Sequence, residues 1–143
     1  MSPSIRNVLE RKGHDVETVD PDVTIMRAVE QMNERRIGSL VVIQDGVIVG
    51  IVTERDMLTR VLACRRDPEV TRVRDVMTRN PLIIDPDVTV EAALAIVSKR
   101  RCRHLPVMHD GRLIGLVSSG DLTAWIVRDQ RRTIEDLYDY VTR

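Results

Sequence analysis

The sequence predicts a mixed α/β (α+β) fold made of two copies of one β-α-β-β-α unit, followed by a C-terminal helix. Three observations predict it. The chain aligns with itself at a shift of 65 residues, residues 19–57 falling on 84–122 without a gap. Asp20, Pro21, Asp22, Val23 and Thr24 match Asp85, Pro86, Asp87, Val88 and Thr89, and Gly50 and Asp56 match Gly115 and Asp121. Repetition of this kind marks a duplicated supersecondary unit that buries its apolar face against its copy. Apolar residues then recur at helical spacing in both copies: Ile25, Ala28, Val29, Met32 and Val90, Ala93, Leu94, Val97. Finally, Asp45-Gly46 and Asp110-Gly111 each divide two apolar runs, the strongest short signal for a β-hairpin.

Each element has its local reason. Residues 4–12 form a short amphipathic helix that resembles "VRDVM", the stretch before the second copy. A short extended piece ("ETV", "LII") enters Asp-Pro, where helix is disfavoured at the Asp. Thr24 and Thr89 suit the N-cap of the first helix. The apolar strands "SLVVI" and "HLPVM" follow, then the hairpin turn, then the return strands "VIVGIV" and "RLIGLV". A second helix starts at Thr53 or Ser118. The final stretch "QRRTIEDLYDYVTR" reads as one more helix, capped near Thr133, with Ile134, Leu137, Tyr138 and Val141 on one face. The expected division is an N-terminal helical segment (1–15), a first repeat (16–64), a polar linker (65–80), a second repeat (81–128) and a C-terminal helix (129–143).

Composition removes several function classes. There are 22 basic and 22 acidic residues, so the basic excess of a duplex-binding protein is missing. No Phe is present, and one Trp and two Tyr make a poor stacking platform for single strands. No partnership with nucleic acid is expected. Two cysteines without CxxC spacing read as reduced thiols, Cys102 as an apolar core residue, and no metal-site spacing appears. The charged start lacks an apolar signal segment, and no run nears the ~20 apolar residues of a membrane span. The expected place is the cytoplasm, with no membrane contact. No Ser-His-Asp set, phosphate-binding Gly-rich loop or dinucleotide fingerprint is present. The expected catalytic set is therefore none, and the chain is not read as an enzyme.

The phrases "VRDVMTRNPLIIDPDVTV", "RRIGSLVVIQDGVIVGIVTERDM" and "RRCRHLPVMHDGRLIGLVSSGDL" resemble a tandem pair of cystathionine-beta-synthase (CBS) domains, a Bateman module. The resemblance covers roughly residues 5–128, and the tail resembles bacterial stand-alone CBS pairs. It implies two repeats packed sheet to sheet about a pseudo-twofold axis, with two clefts between them. It implies a homodimer of modules, and ligands of the adenosyl class: AMP, ADP, ATP, NAD or S-adenosylmethionine. By resemblance, Arg103 and His104 stand where the family faces phosphates, and Gly38 and Ser39 occupy those places in the first repeat. Also by resemblance, the base slot uses Val19, Ile37, Leu40 and Ile51 in one repeat and Ile84, Leu105, Pro106 and Leu116 in the other.

The repeated phrase, "GIVTERDM" (50–57) and "GLVSSGDL" (115–122), has two chemical readings. Thr53 and Ser118 stand where a strand becomes a helix, and helix-terminal amides attract phosphate. Asp56 and Asp121, three residues on, can accept both hydroxyls of a ribose cis-diol. Thr53, Asp56, Ser118 and Asp121 are the candidate ribose contacts; Arg55, Arg103 and His104 are the candidate phosphate contacts. The same spacing is also close to a capping box, whose purpose is structural. Glu54-Arg55 against Ser119-Gly120 makes the two copies unequal. The expected function is a regulatory sensor of adenine nucleotides that passes occupancy to a partner the sequence does not name. The alternative is a dimerisation or interaction module with vestigial clefts.

Overall fold

The computed structural model describes residues 2–142. The chain forms two compact units: Val16–Leu82, and the residues up to Asp15 together with those from Ile83 onward.

In the first unit, β1 (Thr18–Val19) runs parallel to β2 (Ser39–Gln44), which pairs antiparallel with β3 (Val47–Thr53), which pairs antiparallel with β4 (Thr78–Arg79). Asp45 and Gly46 both take positive φ (52° and 78°), the geometry of the tight turn that matches strand twist. A helix connects β1 to β2: α1 being Ile5–Lys12, it is α2 (Ile25–Arg35). Thr24 caps it by accepting the Arg27 N–H at 3.2 Å. Its face of Ile25, Ala28 and Met32 packs on Leu40, Val42 and Val52 of the sheet. After β3 comes one α-turn, α3 (Glu54–Asp56), which widens into a π-helical stretch from Met57 to Leu62.

The second unit repeats this plan. Thr89 accepts the Ala92 N–H at 3.0 Å and opens α4 (Val90–Arg100). β5 (His104–His109) and β6 (Arg112–Ser118) form the hairpin around Asp110-Gly111, both at positive φ. The extended piece before Asp85 contributes one parallel bridge, Ile84 to Val107. Then α5 runs unbroken from Ser119 to Thr142. The predicted cap near Thr133 is therefore corrected. The Thr133 hydroxyl instead donates to the Asp129 carbonyl one turn back at 3.1 Å, which satisfies it within a continuing helix.

The segments that precede each repeat are exchanged. α1, from the start of the chain, supplies Ile5, Val8 and Leu9 to the core of the second unit, beside Ile84, Leu105, Val107 and Leu122. The stretch predicted as a linker supplies Val73, Val76 and Met77 to the core of the first. The two docking modes match atom for atom. Ile5 N–H donates to the Val88 carbonyl (2.8 Å), as Val73 N–H does to that of Val23 (3.0 Å). Arg6 pairs with Asp87 at 3.2 Å, as Arg74 pairs with Asp22 at 2.6 Å. Leu9 and Met77 then sit on glycines. A Cβ on Gly115 would lie 2.5 Å from Leu9 Cδ2, and one on Gly50 would lie 2.6 Å from Met77 Sδ. Those two glycines open the repeated phrase, and they are there because another segment lies against the strand. Arg11 of α1 stacks over the Trp125 ring, 3.9 Å from its centroid, and joins α1 to α5.

Candidate functional site

The repeated phrase forms the same device in both units. Each second strand ends in an extended residue that caps the helix after it. Thr53 N–H donates to Asp56 Oδ2 at 2.8 Å, and Asp56 N–H returns to Thr53 Oγ1 at 3.3 Å. Ser118 N–H donates to Asp121 Oδ2 at 2.8 Å, and Asp121 N–H returns to Ser118 Oγ at 3.1 Å. Both are reciprocal capping boxes with an aspartate in the third position. Each satisfies a helix-terminal amide and fixes the carboxylate at the strand end. Asp56 is 9% exposed and Asp121 is half-buried.

The helix ends offer fewer open amides than their position suggests. Glu54 N–H donates to the Gly38 carbonyl (2.9 Å), and Ser119 N–H donates to that of Arg103 (2.8 Å). With the capping bonds, two of the first three amides at each end are engaged. Anion binding there must rest on side chains more than on the helix terminus.

The side chains around the two devices differ in sign. Glu54 folds over Gly38, so that a Cβ there would lie 3.0 Å from its carboxylate. Arg103, the counterpart of Gly38, is exposed, and His104 is half-buried opposite Ser118 in the hairpin. Arg55 is exposed on the first turn. The strand entrance thus meets a carboxylate in the first unit, while the second carries an exposed arginine at the corresponding position.

The aspartates also meet different cations. Arg60, on the same helix, stands 3.6 Å from Asp56 Oδ1, with its side chain half exposed. Lys12, from α1, donates at 2.5 Å both to Asp121 Oδ2 and to the Leu116 carbonyl. Burial pushes the Asp121 carboxyl upward, but the Lys12 hydrogen bond, the Ser118 bonds and the Lys12 charge outweigh it and hold the pKa below the ordinary carboxylate value. Lys12 was not among the residues singled out in the sequence. The one signal for it was the likeness of residues 4–12 to the segment before the second repeat.

The eight apolar residues assigned to a base slot do not gather. Alternation along each strand sends them to two faces. Val19 and Leu40 belong to the helix-covered core of the first unit, with Ile37 packed against it; Ile84 and Leu105 belong to that of the second. Ile51, Pro106 and Leu116 lie on the opposite strand faces, where Ile51 pairs across with Val41 and Pro106 with Leu116. Ile51 in the first unit, and Pro106 and Leu116 in the second, thus each stand on the face of their own hairpin that points away from the helix-covered core. Among the described residues, no group of three or more His, Cys, Asp or Glu is placed to hold a metal, and no helix is long and apolar enough to cross a membrane.

Comparison with known proteins agrees with this architecture. A family model described as "CBS domain" matches the chain twice, over residues 6–63 and 73–128. The CBS domain-containing protein CBSX3, mitochondrial, of Arabidopsis thaliana is 34% identical over 98% of this chain and 72% of its own length. The crystal structure of the CBS domain protein NE2398 is 35% identical, with a TM-score of 0.82, covering 89% of this chain and 99% of that one. The CBS domain pair of protein MJ0100, solved with 5′-methylthioadenosine and S-adenosyl-L-methionine, is alike in fold, with a TM-score of 0.79 at 24% identity over 90% of this chain and 99% of that one. The chain belongs to the CBS-domain family and carries two such domains in tandem.

Proposed function

We propose that this CBS pair is a regulatory module that binds adenosyl ligands at the strand-to-helix junctions of its repeats and signals their occupancy to a partner protein. The observation that carries the reading is the duplicated cap with a fixed aspartate, Thr53–Asp56 and Ser118–Asp121. A carboxylate already oriented by backbone can accept a ribose cis-diol with little reorganisation. The MJ0100 pair, alike in fold and solved with two adenosyl compounds, supports the reading. In our reading Asp56 and Asp121 take the diol, helped by Thr53 and Ser118. Ile51 contributes the apolar edge for the base in the first repeat, Leu116 and Pro106 in the second. Arg103 and His104 face a phosphate tail in the second repeat, and Arg55 is the candidate in the first. The Glu54 carboxylate over Gly38 disfavours phosphate there. The sites are therefore unequal, the second suiting AMP, ADP, ATP or NAD and the first a ligand with less charge, such as the adenosine part of S-adenosylmethionine. Signalling follows if the ligand binds one arrangement of the module better than another.

Calorimetry with AMP, ATP, NAD and S-adenosylmethionine tests the reading. At least one should bind below millimolar, and Asp56→Ala or Asp121→Ala should weaken it tenfold or more, about 1.4 kcal/mol, because a diol hydroxyl loses its acceptor. No binding, or binding indifferent to both substitutions, refutes the reading.

A second reading, a dimerisation module, is favoured by one observation. Ile134, Leu137, Tyr138 and Val141 form an apolar stripe on α5 and are 60–78% exposed. We propose that this stripe pairs with its own copy in a homodimer, which is compatible with the sensor role.

A further inference from the structure

We propose that Lys12 is a built-in latch on the second repeat's ligand site, so that the two repeats hold adenosyl ligands with unequal strength. The proposal rests on the reading of Asp121 as a ribose contact. Lys12 is the last residue of α1, and its ammonium bridges two polar atoms that an adenosyl ligand would need. One is Asp121 Oδ2, at 2.5 Å, which already accepts the Ser118 N–H. The other is the Leu116 carbonyl, at 2.5 Å, an acceptor at the edge of the apolar base face. With both taken, only Asp121 Oδ1 is left for a diol that binds best through two oxygens. The ammonium is a compact charge with three donors on a flexible stem, so it can hold these acceptors and also leave them.

The backbone around Lys12 is fixed while its head is accessible. Ile5, Val8 and Leu9 are at most 3% exposed. Just after the helix, His14 Nδ1 lies 3.0 Å from the Ile114 carbonyl. The Lys12 side chain is 37% exposed, which leaves a path to swing aside.

Among the described residues, the first repeat has no such latch. Leu9 and Met77 seat on equivalent glycines, so the residue that corresponds to Lys12 is Asn80, which is neutral and shorter. The cation near Asp56 is Arg60, at 3.6 Å, and its guanidinium is also committed to the Val76 carbonyl at 2.9 Å. A latch closed nine-tenths of the time lowers apparent affinity about tenfold, because only the open fraction binds.

The test titrates adenosine and AMP into protein carrying Asp56→Ala, which isolates the second site. Adding Lys12→Met should tighten both ligands about tenfold, while Lys12→Arg, which keeps a cation in place, should not. Using adenosine alongside AMP separates a latch from a phosphate contact, since a lost phosphate contact would weaken AMP alone. If Lys12→Met leaves affinity unchanged or weakens it, while Asp121→Ala still weakens binding tenfold or more, the latch is refuted and the site reading stands. If no variant, Asp121→Ala in an otherwise intact chain included, binds either ligand, both fall. A second measurement needs no substitution. The ¹⁵N–¹H signal of the Lys12 ammonium in the intact protein should lose its protection when AMP saturates the site, and a signal unchanged by bound AMP refutes the latch.

Discussion

Asp56 and Asp121 sit in equivalent caps, yet among the described residues only Asp121 has an ion pair from another element. That difference is visible in the pH dependence of stability. The Asp121 carboxyl is held below its ordinary value despite its burial, through the Lys12 hydrogen bond, the Ser118 bonds and the Lys12 charge. A depressed folded-state carboxyl adds stability above the unfolded value, near pH 4, and loses it as pH falls through the folded one. Lys12 is more than a third exposed, so solvent screening limits the pair to about 0.5–1 kcal/mol. Lys12→Met should therefore lower stability by about that much at pH 7 and by progressively less toward pH 3. Urea melts across this range read it, and a gap that stays constant with pH would show that the pair contributes nothing as an ion pair. The aspartates and their caps were legible in the sequence because a capping box is local. Lys12 was not, because its partner lies 109 residues away and no local pattern encodes that contact.

At the scale of elements, the hairpins were readable because Asp-Gly at positive φ is a local demand, and both turns meet it. The helix starts were readable from Thr24 and Thr89 for the same reason. The false cap at Thr133 came from reading a threonine locally where no Gly or Pro breaks the helix. The base slot was blurred because Val19 and Ile51 are equally apolar, and only strand pairing decides which face each one takes. The glycines of the repeated phrase carry a sharper expectation. At Gly50 an added Cβ would also meet the Thr78 carbonyl at 2.8 Å, a backbone atom of the paired strand β4 that cannot swing away. At Gly115 it would meet only the branched end of Leu9. Both alanine variants should destabilise, on the order of 1–3 kcal/mol, as overpacking does. Thermal melting should place Gly50→Ala at the severe end, with β4 and the segment of Val73 to Met77 loosened; equal melting points for the two variants would contradict the backbone argument.

The whole molecule was legible as a tandem pair because a gapless 65-residue register needs no structure to be seen. The proposed homodimer rests on α5. Tyr138 is 68% and Leu137 60% exposed, on a helix whose earlier residues Leu122 and Trp125 pack into the second core. Leu137→Glu with Tyr138→Glu should convert a homodimer to a monomer in sedimentation velocity while leaving far-ultraviolet dichroism unchanged, since these side chains support no core contact. A dimer that survives both changes places the interface elsewhere.

The exchange of preceding segments has a consequence in time. α1 leaves the ribosome well before its partners, Ile84 to Leu122. At ~5–20 residues per second, Lys12 waits roughly 5–20 s for Asp121, which follows it by 109 residues. The stretch of Val73 to Met77, by contrast, emerges directly after the repeat it completes. The first unit can therefore close during synthesis, while Ile5, Val8 and Leu9 stay uncovered until the second repeat has been made. α1 is made before the partners that cover it, and in that interval its apolar face is a part of the nascent chain that a chaperone would meet.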